Sequence, residues 1–93
     1  MFTAAAAEHL EQLERDRGRA KRLKAVRKTL ARLETDPRHP GLQSHEFKSL
    51  SGVHGMKAFE SYAEQNTPAA YRVFWHYGPE KGQVTIIAIT SHP

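Results

Sequence analysis

The chain contains no cysteine, which removes disulfides, thiolate metal sites and cysteine nucleophiles together. No apolar run approaches the roughly 18 residues that a membrane span requires, so no membrane segment is expected. The first residues, Met1-Phe2-Thr3-Ala4-Ala5-Ala6-Ala7-Glu8, have neither a basic stretch nor a long apolar one. No signal peptide is therefore expected, and the cytoplasm is the default location. Gly52-Val53-His54-Gly55 lacks both the spacing and the lysine of a phosphate-binding loop. The histidines show no metal-ligand spacing, so neither a metal nor a small-molecule cofactor is expected.

Acidic residues are also scarce where basic ones crowd. From Arg15 to Arg32, Arg15, Arg17, Arg19, Lys21, Arg22, Lys24, Arg27, Lys28 and Arg32 are opposed only by Asp16. From Gly41 onward Lys48, Lys57, Arg72 and Lys81 balance Glu46, Glu60, Glu64 and Glu80. The net charge of +4 is thus concentrated in the first half. Such a field suits a polyphosphate or an acidic protein, or it is an ordinary solvated helix face.

At 93 residues, with 39% hydrophobic and 26% charged, the chain reads as one domain over 1–93 with a small core. Thr3 is a candidate N-cap for a helix to about Arg17 with Ala6, Leu10 and Leu13 on one face. A second helix from about Arg19 to Glu34 places Leu23, Val26, Leu30 and Leu33 at steps of three and four. The two stripes are out of phase, and Gly18 lies between them, so the pattern predicts a helical hairpin. Asp36-Pro37 ends the second helix. Strands are expected at Ser44–Leu50, Lys57–Glu64, Tyr71–Tyr77 and Gln83–Thr90, the last central or covered on both faces. The fold class is therefore α+β: an N-terminal helical hairpin on one face of a three- to four-stranded antiparallel sheet.

The last hairpin holds the chemistry. Arg72 sits in an otherwise apolar strand, and a charge there requires a partner. That partner is either Glu60 or Glu64 on the neighbouring strand, or an anionic ligand. Pairing Tyr77 with Gln83 across the Gly78–Gly82 turn sets Arg72 opposite Ala88. Arg72, Phe74, His76, Val84, Ile86, Ala88, Thr90 and His92 then share one face, with Tyr71, Val73, Trp75 and Tyr77 on the helix side. Arg72 and His92 would lie about 13 Å apart at ~3.3 Å per residue. Guanidinium and imidazole together suit phosphodiester cleavage, one binding phosphate oxygens and the other moving a proton. His9 is expected on a helix surface, His39 and His45 in a polar turn region, and His54 in an exposed loop.

The run Asp36-Pro37-x-x-Pro40-Gly41-Leu42, then Leu50-Ser51-Gly52, Tyr71-Arg72-Val73-Phe74-Trp75, Ile86-Ile87-Ala88-Ile89 and His92 resembles the RelE/ParE superfamily of bacterial toxins across nearly the whole chain. The resemblance implies the toxin of a toxin–antitoxin pair, with an antitoxin protein, the ribosome and mRNA as partners. The activity it implies is a metal-independent, ribosome-dependent mRNA endoribonuclease cutting through the 2′-OH. On it Arg72 takes the catalytic arginine position and His92 that of the histidine ending the last strand. The glutamate base position falls near Ser44 or His45, making His45 the candidate base. Lys48 lies near a phosphate-neutralising lysine, while Lys21, Lys24, Lys28 and Arg32 would meet RNA. Pro93 follows His92 where such toxins carry a tyrosine, and only Met1-Phe2-Thr3 stands where they begin with a strand. The alternative is a non-catalytic protein of the same fold that inhibits gyrase or only binds an antitoxin or nucleic acid.

Overall fold

The computed structural model describes residues 1–65, 67 and 69–91. Thr3 caps helix α1 (Ala4–Arg15): its hydroxyl accepts from the Ala6 N–H at 3.1 Å. Asp16 then ends α1, which stops two residues before the expected end, because its carboxylate turns to accept from the Gly18 N–H at 3.0 Å. A short 3₁₀ turn, Arg17–Arg19, leads into helix α2 (Ala20–Thr35). The two apolar stripes face inward as their spacing requires. Ala6 and Leu13 are buried on α1, with Leu10 packed beside them; Val26 and Leu33 are buried on α2, flanked by Leu23 and Leu30.

After the 3₁₀ turn Pro40–Leu42, which buries Leu42, come β1 (His45–Ser51), β2 (Lys57–Tyr62), β3 (Tyr71–Tyr77) and β4 (Val84–Ser91). They form one antiparallel sheet in the order β1-β2-β3-β4. The helices lie on one face, α1 over β4 and α2 over β3 with a lesser contact to β4. This is the α+β architecture that the order of elements predicts. Val73, Trp75, Ile86 and Ile89 supply the sheet's share of the core. Trp75 is 1% exposed, and its indole N–H donates to Ser61 Oγ at 2.7 Å, so its polar atom is satisfied inside the core.

The expected register of the last hairpin needs correction. Tyr77 pairs with Val84 rather than Gln83, and a bulge lies between the Trp75–Ile86 and Phe74–Ala88 pairs, leaving Ile87 extra. Arg72 consequently faces Thr90, not Ala88. Ile86 and Val84, expected on the Arg72 face, belong with the helix-side core. Arg72, Phe74, Ala88 and Thr90 keep their common face because they lie beyond the bulge.

β4 is an edge strand, not a central one, and its outer edge is covered. The Ile86 N–H donates to the Met1 carbonyl at 2.8 Å, and the Thr3 N–H donates to the Ile86 carbonyl at 2.9 Å. The Thr3 hydroxyl donates to the Ile87 carbonyl at 2.8 Å. Farther along, the Ile89 N–H donates to His9 Nδ1 at 3.1 Å, so His9 is tied to the sheet rather than loose on a helix surface. Phe2 and Ile86 form a single isolated parallel bridge at this edge.

Candidate functional site on the open sheet face

The helices cover one side of the sheet; the other carries Arg72. Tyr62 ends β2 and pairs directly with Arg72 on β3. Side chains of directly paired residues project from the same face, and here the guanidinium carbon lies 3.9 Å from the Tyr62 ring centroid. The Tyr62 ring in turn meets the His45 ring edge-on, centroids 5.9 Å apart and planes at 82°. His45 opens β1 opposite Glu60, and its Nε2 lies 2.8 Å from Glu60 Oε1. Arg72, Tyr62, His45 and Glu60 thus form an unbroken series of contacts across three strands.

The series is graded in exposure. The Glu60 side chain is 0% exposed, whereas His45 is 47% exposed. A carboxylate at the sheet therefore holds an imidazole whose other edge reaches solvent. Nε2 lies beside the Glu60 carboxylate, while Nδ1 faces the Gln43 carbonyl at 3.4 Å, which can only accept, so a hydrogen bond there makes Nδ1 the donor. The Phe47 and Phe74 rings pack at 5.1 Å on the same face. Next to them His76 is buried, with Nδ1 2.7 Å from the Tyr77 carbonyl and Nε2 unpartnered among the described residues.

Neither expected carboxylate takes Arg72. Glu60 pairs with His45, and the Glu64 carboxylate accepts from Arg22 Nε at 2.8 Å and from the Tyr71 N–H at 3.0 Å. Arg72 Nη1 donates instead to the main-chain carbonyls of Glu64, at 3.0 Å, and Tyr71, at 3.4 Å. No ion pair among the described residues includes Arg72, so its positive charge is held by carbonyls and a π-face.

His45 therefore stands beside Arg72's stacking partner. Lys48 is exposed on β1, one residue beyond Phe47, and makes no ion pair among the described residues. His92 lies outside the described residues. Tyr62 and Glu60's role toward His45 went unread in the sequence. Their two-residue spacing was the available signal, because alternation puts both on Arg72's side once Tyr62 pairs with Arg72. Tyr71, Trp75 and Tyr77 are on the helix side as expected, although Tyr77 remains 38% exposed.

The basic helix sorts into two stripes. Arg22 and Arg27 are engaged, with Glu64 and Glu14. Lys21, Lys24, Lys28 and Arg32 recur at steps of three and four, hence along one face, and make no ion pair among the described residues. The first three are exposed and Arg32 is half-buried. Among the described residues no group of three or more histidine, aspartate or glutamate side chains could hold a metal. No helix is long and apolar enough to cross a membrane.

No protein-family model, curated protein or solved structure matches the chain.

Proposed function

We propose that the protein is a metal-independent endoribonuclease acting on mRNA at the ribosome, as the toxin of a toxin–antitoxin pair. The reading rests on the RelE/ParE-like motifs and on one observation: Arg72, without a carboxylate partner among the described residues, lies in contact series with Tyr62 and the His45–Glu60 pair on the sheet face opposite the helices. Arg72 would bind the scissile phosphate and take up charge as the phosphorane forms. His45 would accept the 2′-OH proton on Nδ1 once that nitrogen leaves the Gln43 carbonyl, and the Glu60 carboxylate beside Nε2 would stabilise the resulting imidazolium. The 2′-oxygen attacks phosphorus, the bond to the 5′-oxygen breaks, and a 2′,3′-cyclic phosphate remains. The family resemblance gives His92 the task of protonating the departing 5′-oxygen and Lys48 that of neutralising phosphate. An acidic antitoxin segment would complement the Lys21–Arg32 stripe.

The test is controlled expression with mapping of RNA ends, followed by cleavage assays on translating ribosomes. Cyclic phosphate ends that vanish with Arg72→Ala support the reading; cleavage by Arg72→Ala at the parent rate overturns it.

A second reading draws on Arg72's own contacts. A guanidinium donating to the Glu64 and Tyr71 carbonyls also ties the β2–β3 connection together. On that reading the protein is a non-catalytic member of the same fold that inhibits gyrase or only binds an antitoxin or nucleic acid. Growth arrest with DNA damage and intact mRNA is its signature.

A further inference from the structure

Beside the open face lies a second basic site, in a cleft of about 260 Å³ between α2 and the end of β2. Lys28 and Arg32 form its α2 wall, Gly41 its floor, and Tyr62, Ala63 and Gln65 its sheet side. Its described lining residues include no carboxylate. The volume falls below the roughly 300–1,000 Å³ usual for drug-sized ligands, which suits a phosphate group.

Three features make this a built site rather than a chance gap. First, Lys28 and Arg32 belong to the stripe that makes no ion pair among the described residues, while Arg22 and Arg27 on the same helix are engaged by glutamates. Second, Arg32 is half-buried, and Gly41 makes room for it: a Cβ on residue 41 would lie 2.8 Å from Arg32 Nη1. Third, Tyr62 belongs both to this cleft and to the Arg72 contact series. β1 pairs with β2 as far as His45 opposite Glu60, and beyond that pair Gly41 and Leu42 line the cleft together with Tyr62 and Ala63. Tyr62 is thus the residue past which a chain on the Arg72 face would reach the cleft.

We propose that the Lys28–Arg32 cleft binds a backbone phosphate of a single-stranded RNA whose adjoining nucleotides lie on the Arg72 face. The inference rests on the RNA-binding reading given above and adds a second contact and a direction for the strand, from Arg72 past Tyr62 to α2. Two cations on one anion, with Arg32 half-screened from water, hold it more firmly than Lys21 or Lys24 alone.

The test measures binding of fluorescein-labelled oligouridylates of two and nine nucleotides to the parent, to Lys28→Gln/Arg32→Gln and to Arg72→Ala. Circular dichroism first establishes that each is folded. The double variant should bind the nonanucleotide about tenfold more weakly, and the slope of log K against log salt should fall by about 1.4, for two lost contacts on a single strand. The dinucleotide, too short to reach both sites, should lose less than twofold. Arg72→Ala should weaken both. Equal loss for the two lengths, or no loss, overturns the cleft while leaving RNA binding at Arg72 in place. If the parent binds neither oligonucleotide, the RNA reading falls and this inference with it. If inorganic phosphate perturbs the Lys28 and Arg32 amides while parent and variant bind the nonanucleotide alike, the site takes free phosphate and the strand path is wrong.

Discussion

Arg72 rests its guanidinium 3.9 Å from the centre of the Tyr62 ring while donating to the Glu64 main-chain carbonyl at 3.0 Å. Carbonyls and an aromatic face stabilise a cation without cancelling its charge. A carboxylate partner would have quenched it. The side chain is thus positioned yet still attractive to an anion. Arg72→Lys is the discriminating substitution, because an ammonium keeps the charge but lacks the planar fork and the stacking surface. RNA cleavage should fall at least about 100-fold in both Arg72→Ala and Arg72→Lys, measured as cyclic phosphate ends formed per minute. Full activity in the lysine variant would mean that charge alone suffices.

The His45–Glu60 contact joins an exposed imidazole to a carboxylate removed from solvent. Removing the imidazole takes away the ring nitrogen that lies 2.8 Å from a buried carboxylate oxygen, a loss that costs about 1–3 kcal/mol. His45→Ala and Glu60→Gln should therefore each destabilise the fold, and the double variant should lose less than their sum. Urea denaturation of the four proteins gives the coupling directly. A coupling of about 1 kcal/mol or more is expected; strict additivity would show that the two groups do not interact in solution.

How much of this was legible before the fold was known follows from where the information resides. Helix stripes are local, and Leu23, Val26, Leu30 and Leu33 identify their own buried face. The strand positions were equally plain from Tyr71–Tyr77 and the apolar run after Gly82. Register was not, because it depends on a residue that no local pattern marks. Ile87, between two other apolar residues, is the extra one at the bulge. Placing it elsewhere put Val84 and Ile86 on the wrong side, although Arg72 kept its face. Tyr62 escaped notice because its importance comes from standing across from Arg72, a relationship of register rather than of sequence. The N-terminal bridge was not legible, because the hydrogen bonds to Ile86 and Ile87 depend on where β4 ends up.

Gly52 owes its identity to His76. A Cβ at residue 52 would clash with His76 Cδ2 and lie 2.9 Å from Cγ, and His76 is buried. Gly52→Ala should cost about 1–3 kcal/mol through overpacking, seen as a lowered midpoint in thermal or urea unfolding. His76→Ala creates a cavity by itself, but combined with Gly52→Ala it removes the clash. The double variant should be more stable than the sum of the single losses predicts. An unchanged midpoint for Gly52→Ala would mean that the β1–β2 connection shifts freely.

The outer edge of β4 offers a test that does not depend on function. A sheet edge exposes main-chain donors, and unprotected ones invite pairing with another chain. Here the Ile89 N–H donates to His9 Nδ1, which requires that nitrogen to be unprotonated. In His9→Ala the amide turns to water or to nothing, a loss of about 1 kcal/mol. Hydrogen exchange at Ile89 should accelerate about fivefold, while Val73, whose strand is paired on both sides, changes only by the drop in global stability. Thr3→Ala should act on the same edge, since it removes both the cap on Ala6 and the donor to the Ile87 carbonyl. Its cost should approach the upper part of the roughly 0.5–2 kcal/mol range for lost caps. If exchange at Ile89 is the same in His9→Ala as in the parent, the histidine does not seal the edge, and β4 must be protected by α1 packing alone.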